Sequence, residues 1–117
     1  MADSLYPQPS KALAEQRRAL APDIDAAFRK FSDAVFAESA LSKKTKQLIA
    51  VAVAHVTQCP YCIQGHTKAA RREGATAEEI MEAIWVAGEM RAGGAFAHSA
   101  LALATLDAAA PHQHPTS

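Results

Sequence analysis

Apolar residues recur at helical spacing through the first third of the chain. The segment 23–39 carries an apolar residue every three or four positions, which defines one face of an amphipathic helix. These residues are Ile24, Phe28, Phe31, Val35 and Phe36. A shorter helix is predicted over 11–20, because the residue before Pro22 is biased away from helical geometry. An irregular arm over residues 1–10, with two prolines, is expected to precede it.

The next predicted helix becomes apolar on every side. Ser42 has the side chain of a good N-cap, and the segment 48–54 contains only leucine, isoleucine, valine and alanine. Valine is frequent here, so a β-strand over 48–56 is the competing interpretation. The interspersed alanines and the absence of turn residues over 42–46 favour a helix. A helix that is apolar all round is expected to lie at the centre of the fold.

Two further helix boundaries are marked by the chemistry of their residues. Pro60 suits the first position of a helix, with Cys59 as its N-cap, and Gly74 suits the position just after its end. Thr76 and Glu79 form a capping box, in which each side chain accepts a hydrogen bond from the backbone N–H of the other residue. The sequence therefore predicts one helix that ends near Gly74 and another that begins after Thr76.

The end of the chain is predicted to contain one more helix. Gly93-Gly94 is expected to interrupt the helix that begins after Thr76, so that a separate helix rich in alanine and leucine runs over 95–108. Residues 111–117 are expected to form a disordered tail. No second-domain boundary stands out. We therefore predict an all-α, single-domain helical bundle over residues 11–110.

Composition and charge narrow the classes of function. Twelve basic residues balance twelve acidic residues, so no positive field is available for nucleic acid or an anionic membrane surface. We expect a reducing, cytoplasmic location, because no signal peptide is apparent and no apolar run is long enough to span a membrane. The 28 alanines, against seven aromatic residues, predict thin helices whose remaining apolar surface is buried between subunits.

The two cysteines lie close together, in the sequence Cys59-Pro60-Tyr61-Cys62, with His66 four residues further on. On a helix that begins at Cys59, these spacings put both thiols and the imidazole on one face. The helix N-terminus favours the thiolate of Cys59, whereas the imidazole can accept the proton of Cys62. These arguments leave open which cysteine is the nucleophile. They predict a disulfide that forms and is reduced easily.

Other interpretations fit this segment less well. His55, Cys59, Cys62 and His66 could bind zinc, but on one helix the outer two would lie about 16 Å apart along the axis. Their spacing also matches no common zinc finger. A thioredoxin-like site requires a neighbouring strand, and no strand pattern surrounds the cysteines. Two buried cysteines beside a core histidine are the purely structural alternative. We expect no metal and no other cofactor.

The segment from Lys46 to Trp85 resembles the AhpD-like alkylhydroperoxidase branch of the carboxymuconolactone decarboxylase superfamily. The resemblance rests on the apolar helix after Lys46, the C-P-Y-C motif with its histidine, and the pattern G-A-T-x-E-E-I-x-E-A over 74–83. The combination of these motifs is specific, and it covers a little over a third of the chain. It implies an all-helical subunit that assembles into homotrimers or homohexamers.

The resemblance also implies a thiol-dependent antioxidant enzyme that reduces hydroperoxides. By match of motif, Cys62 is the attacking thiolate, His66 its proton acceptor and Cys59 the resolving thiol. The peroxide oxidises Cys62 to a sulfenic acid, and Cys59 condenses with it to form a disulfide. A dithiol reductant, a lipoyl- or thioredoxin-like partner, then restores the pair.

Two positions depart from the best-known peroxidases of this family. Gln47 stands where those enzymes carry the glutamate of a proton relay, and an amide cannot take up a proton. Tyr61 stands where they carry a second histidine. These replacements predict weak peroxidase turnover, or disulfide exchange in its place, unless another acid reaches the site. The acids available are Glu38, Glu82 and Glu89.

Two further histidines could take part in a relay. His55 lies one turn before Cys59, although a hydrogen-bonded packing role is the simpler expectation. His98 could face the cysteine pair from a neighbouring helix, again with packing as the alternative.

Two functions of other classes compete with the peroxidase. A carboxymuconolactone decarboxylase-like lyase would act on a lactone acid without the cysteine pair, and its mark would be an arginine that binds a carboxylate. A non-enzymatic, redox-sensing assembly protein would form the disulfide reversibly but would not convert any substrate catalytically.

Overall fold

The computed structural model describes residues 5–109, and this part of the chain forms five helices and no strand. The all-α prediction is confirmed, and the strand alternative at 48–56 is excluded. The predicted disordered tail and the first four residues of the arm lie outside the described residues. The helices are α1 (Lys11–Leu20), α2 (Pro22–Phe36), α3 (Lys43–Thr57), α4 (Pro60–Arg72) and α5 (Ala77–Ala109).

Several helix ends are fixed by the side chains that the sequence predicts. Ser42 Oγ accepts a backbone N–H from the first turn of α3 at 3.1 Å. The capping box before α5 is formed in full: Thr76 N–H donates to Glu79 Oε1 at 2.9 Å, and Glu79 N–H donates to Thr76 Oγ1 at 3.0 Å. Gly74, just after α4, has a φ of 93°, which glycine adopts without a Cβ penalty. These caps are local, so they follow directly from the sequence.

Two predicted boundaries are wrong. Gly93 and Gly94 do not interrupt a helix, because α5 runs unbroken through both. A glycine inside a helix costs only about 1 kcal/mol relative to alanine, and the flanking alanines and leucines are strong helix formers. The helix α2 ends at Phe36, before the expected end near residue 39. There the Ala37 carbonyl accepts a hydrogen bond from the Lys46 ammonium at 2.5 Å.

The core is small and centres on α3. Val51 of α3 is fully buried and packs with Ala70 of α4 and with Ala75, which lies just before α5. The partly buried residues around this cluster are Leu48, Ile80 and Ile84. The helix α3 therefore contacts both α4 and α5, as expected of the helix that is apolar all round. This packing holds α4, which begins beside the cysteines, against α3 through a residue near its end.

Much apolar surface remains exposed on the single chain. Every residue of α5 from 94 to 109 is exposed, and Phe96 is 81% exposed. The apolar face of α2 is exposed as well, with Phe28 at 64% and Phe31 at 65%. Within residues 5–109, no helix combines the length and the hydropathy that a membrane span requires. The burial of these faces between subunits stays a prediction.

Replacing Val51 with alanine should lower the free energy of unfolding by roughly 2 kcal/mol, because it leaves a cavity in the centre of the core. The matched control is Val53→Ala, the same change on the same helix at a side chain that is 51% exposed. Urea unfolding of both variants at one protein concentration measures the difference. Equal losses would contradict the placement of Val51 at the centre of the core.

Candidate functional site

The cysteine pair lies at the start of α4, where the sequence predicts it. Gln58 ends α3 in the left-handed region, with a φ of 59°. Cys59 follows as the N-cap of α4, and Pro60 is the first helical residue. Both cysteines are free thiols and half-buried, and their sulfur atoms are 2.7 Å apart. The pair is therefore placed for disulfide formation.

The two thiols differ in their electrostatics. Cys59 Sγ and Cys62 Sγ form a hydrogen bond, and the Cys62 backbone N–H donates to Cys59 Sγ at 3.2 Å. These hydrogen bonds lower the pKa of the Cys59 thiol, because they stabilise its charged form. The same sulfur–sulfur hydrogen bond raises the pKa of Cys62, with burial and the charge on Cys59 acting in the same direction. Of the two thiols, Cys59 therefore has the lower pKa and loses its proton more readily.

His66 is oriented by contacts from two other helices. Its Nδ1–H donates to Gln47 Oε1 of α3 at 2.8 Å. Its ring stacks on Phe36 of α2, with the ring centroids 5.2 Å apart. With the proton on Nδ1, the Nε2 atom is the basic position of the imidazole. Gln47 thus sets the tautomer and the orientation of His66, although its amide cannot take up a proton.

Two cavities meet at Cys62 and His66. The apolar cavity, of about 440 Å³, lies between α2 and α3. The polar cavity, of about 480 Å³, opens where α2, α3 and α4 meet. Phe36, Cys62 and His66 line both cavities and so form the partition between them. The apolar cavity is also lined by Val35, Leu41, Lys46, Ile49 and Val53, and the polar cavity by Ser32, Asp33, Gln47, Tyr61 and Arg72.

Tyr61 is held by the N-terminal arm. Its hydroxyl donates to the Pro7 carbonyl at 2.8 Å, and its ring meets the edge of Tyr6 with centroids 5.8 Å apart. The phenolic proton is thus engaged by the arm rather than by His66 or the thiols. Tyr61 lines the polar cavity without joining the hydrogen bonds that orient the imidazole.

The other predicted relay residues are not brought into the partition. His55 Nδ1–H donates to the Val51 carbonyl at 2.7 Å within α3, which is the packing role expected of it. His98 lies on the exposed half of α5 and lines neither cavity. Among residues 5–109, no group of three or more His, Cys, Asp or Glu side chains could hold a metal ion.

The acid that does reach the polar cavity is one that the sequence analysis missed. Asp33 of α2 lines this cavity together with His66. None of the acids considered from the sequence, Glu38, Glu82 and Glu89, lines either cavity. Glu38 instead accepts a hydrogen bond from the Lys43 backbone N–H at 3.4 Å. No local pattern marks Asp33, because it reaches the site only through the packing of α2.

Two further site residues were missed. Phe36 is marked by the sequence only as part of an apolar helix face, and nothing local indicates that it stacks on His66. Arg72 could have been found from spacing, because Cys62, Gly65, Ala69 and Arg72 follow one another at intervals of three and four residues along one side of α4.

Comparisons with known proteins identify the family of the chain. The sequence profile described as "Carboxymuconolactone decarboxylase family" matches residues 22–106. The chain is 67% identical over 107 residues to "Uncharacterized protein 4 in cox locus" from Paracoccus denitrificans. The aligned region covers 92% of this chain and 96% of that protein. It is 34% identical over 87 residues to an uncharacterized protein from Cupriavidus necator, with 74% of this chain and 77% of that protein covered.

Two solved structures share the fold. One is a crystal structure of an apo carboxymuconolactone decarboxylase family protein from Legionella pneumophila, with a TM-score of 0.65, 35% identity and coverage of 68% of this chain and 70% of that one. The other is a crystal structure of a protein from Methanobacterium thermoautotrophicum, with a TM-score of 0.67, 31% identity and coverage of 76% and 96%. Because the family profile spans most of the chain, this protein belongs to the carboxymuconolactone decarboxylase family, within the AhpD-like superfamily.

Proposed function

We propose that this protein is a thiol-dependent oxidoreductase that reduces hydroperoxides through the Cys59–Cys62 pair. The observation that carries the proposal is the partition, where Cys62 and an oriented His66 face two cavities while Cys59 Sγ lies 2.7 Å from Cys62 Sγ. A purely structural cysteine pair needs neither an oriented base nor access for small molecules. Membership of the family supports an enzymatic role.

In the oxidative step, the hydroperoxide meets Cys62, because Cys62 lines both cavities and Cys59 lines neither. The thiol proton passes to Nε2 of His66, one turn along α4. The Cys62 thiolate then attacks the terminal oxygen of the hydroperoxide, and the O–O bond breaks. Cys62 becomes a sulfenic acid, and the alkoxide takes the proton from the imidazolium to leave as an alcohol.

In the resolving step, Cys59 attacks the sulfenic sulfur of Cys62. The S–S bond forms, the S–O bond breaks, and the hydroxide takes up a proton to leave as water. The lowered pKa of Cys59 suits this role, because the thiolate is the attacking form of a cysteine and a lower pKa favours it. A dithiol reductant then supplies two electrons, returns the pair to its reduced form, and is itself oxidised to a disulfide.

One observation favours the lyase alternative: Arg72 lines the polar cavity. The guanidinium of Arg72 could bind the carboxylate of a lactone acid. Lyase chemistry would not depend on the cysteines. A redox sensor, by contrast, would form the disulfide without repeated turnover. The cysteine variants described below separate all three possibilities.

We also propose that the working form is a homotrimer or homohexamer. The exposed apolar residues of α5 beyond residue 94 and the exposed face of α2 need a covering surface, and a second copy of this chain supplies one of matching apolar character. The net charge of zero places no electrostatic barrier against such association.

Replacing Cys62 with serine should abolish hydroperoxide consumption, because no thiol then faces the cavities. Without a dithiol, Cys59→Ser should consume one hydroperoxide per subunit and stop at the sulfenic acid, because the resolving thiol is missing. Peroxide assays with and without a dithiol, together with mass spectrometry of dione-trapped Cys62, measure both effects. Full activity in both variants, or no thiol-dependent turnover by the native protein, would refute the peroxidase proposal.

Replacing Gln47 with glutamate should raise the rate of Cys62 oxidation by roughly tenfold, because a carboxylate at this position can accept a proton through His66. The matched control is Gln64→Glu, the same change at an exposed position of α4 that lines neither cavity. Stopped-flow measurement of thiol oxidation by a hydroperoxide gives both rates. A Gln47→Glu rate no higher than the control rate would contradict the relay.

At micromolar concentration the protein should sediment as a trimer or hexamer of the 12.4 kDa chain. Leu103→Glu should shift the mass towards the monomer, because it places a charge on the exposed apolar half of α5, where Leu103 is 60% exposed. Ser39→Glu, in the exposed turn after α2, serves as the control and should leave the mass unchanged. A native protein that sediments as a monomer would overturn the assembly.

A further inference from the structure

The two cavities at Cys62 differ in chemistry. The apolar cavity is walled by aliphatic side chains, among them Val35, Leu41 and Ile49. The polar cavity is lined by the Ser32 hydroxyl, the Gln47 amide and the Tyr61 phenol. It is also lined by two opposite charges, those of Asp33 and Arg72. Two reactants, a hydroperoxide and a thiol reductant, must reach Cys62 in each cycle of the proposed function. The contrast between the cavities provides a separate place for each.

The guanidinium of Arg72 is available to a ligand. Arg72 is the last residue of α4, it is exposed, and it takes part in no ion pair among residues 5–109. A guanidinium binds a carboxylate or a phosphate through two parallel hydrogen bonds. The polar cavity is therefore suited to a ligand with one of these anionic groups, of which the carboxylate is the one with a single charge.

Asp33 restricts the charge of that ligand. Asp33 lines the same cavity and is not ion-paired with Arg72 in the described part of the chain. A second negative charge on the ligand would be repelled by this carboxylate. The cavity therefore favours a ligand with one carboxylate over a ligand with several.

The partition keeps the two reactants apart. The ring of Phe36 stacks on His66 at a tilt of 25°, and both residues line the two cavities. A molecule bound on the polar side leaves the apolar side open. Cys62 lines both cavities, so either reactant can reach this residue from its own side.

We propose that the polar cavity binds a thiol reductant that carries one carboxylate, held by Arg72, while the hydroperoxide reaches Cys62 from the apolar cavity. This inference rests on the proposed function and names the reductant class and its side of the site. It applies to the reductive half of the cycle, which can be measured without any peroxide.

The reductive step follows from this placement. A thiolate of the bound dithiol attacks the Cys62 sulfur of the disulfide, and the Cys59–Cys62 bond breaks. Cys59 leaves as a thiolate that the Cys62 backbone N–H is placed to stabilise. The second thiolate of the reductant attacks its own sulfur in the mixed disulfide, which releases Cys62. The two protons of the dithiol pass to the released cysteines or to solution.

The test uses two dithiols that differ in one group, dihydrolipoate with a carboxylate and dihydrolipoamide with a neutral amide. The protein is first oxidised with diamide, and its reduction by each dithiol is followed by stopped flow. The half-saturating concentration of dihydrolipoate should be about tenfold lower than that of the amide, as expected for one charge-assisted hydrogen-bonded pair. Arg72→Gln should raise the half-saturating concentration of dihydrolipoate to that of dihydrolipoamide. The half-saturating concentration of dihydrolipoamide should stay unchanged.

Lys68→Gln is the control, because it removes a positive charge from α4 at an exposed position that lines neither cavity. It should keep the tenfold preference. Octanoate, a carboxylate without thiols, should slow the reductive half-reaction and leave oxidation by cumene hydroperoxide unaffected. Equal half-saturation by the two dithiols, an equal effect of Arg72→Gln on both, or inhibition of the oxidative half by octanoate would overturn the inference.

The same design separates failure of the inference from failure of the proposed function. If the protein is not a peroxidase, cumene hydroperoxide will not form the disulfide, yet the diamide-oxidised protein will still report whether Arg72 selects the carboxylate. If the reductant site is wrong, oxidation by the hydroperoxide proceeds normally and the preference between the two dithiols is absent.

Discussion

Val51 of α3 and Ala70 of α4 pack together with no accessible surface left on either residue, and the site depends on this contact. An alanine at the interface lets the two helices approach closely, and a short connection leaves α4 little freedom to pack elsewhere. Gln47 lies one turn before Val51, and His66 one turn before Ala70. The packing of α3 against α4 also keeps the Gln47 amide beside the His66 imidazole, and these two side chains form a 2.8 Å hydrogen bond.

The chemistry at the start of α4 follows from an asymmetry between two identical groups. Cys59 occupies the N-cap, so its sulfur accepts a backbone N–H, whereas Cys62 lies inside the first turn and shares only the sulfur–sulfur hydrogen bond. One hydrogen bond thus moves the two pKa values in opposite directions. Cys62 lines both cavities and Cys59 has the lowered pKa, which suits the two thiols to the attacking and resolving roles proposed for them.

The alanine-rich composition explains both the small core and the long last helix. Alanine forms helices well but contributes little apolar bulk, so α5 continues through Gly93 and Gly94 without finding a partner surface on its own chain. The prediction of a break there was wrong because helix propensity summed over many alanines outweighs two glycines. The apolar surface left on α2 and α5 is the physical basis for the proposed assembly.

Local interactions are what the sequence by itself determined. The helical class, the caps, and the common face of Cys59, Cys62 and His66 all depend on residues within one turn of each other, where spacing fixes geometry. The tertiary structure alone decided that Gln47 fixes the imidazole, that Phe36 divides the site into two cavities, and which charges line the polar one. Those contacts join three helices whose mutual packing depends on side-chain shape along their whole length, and no spacing along the chain encodes it.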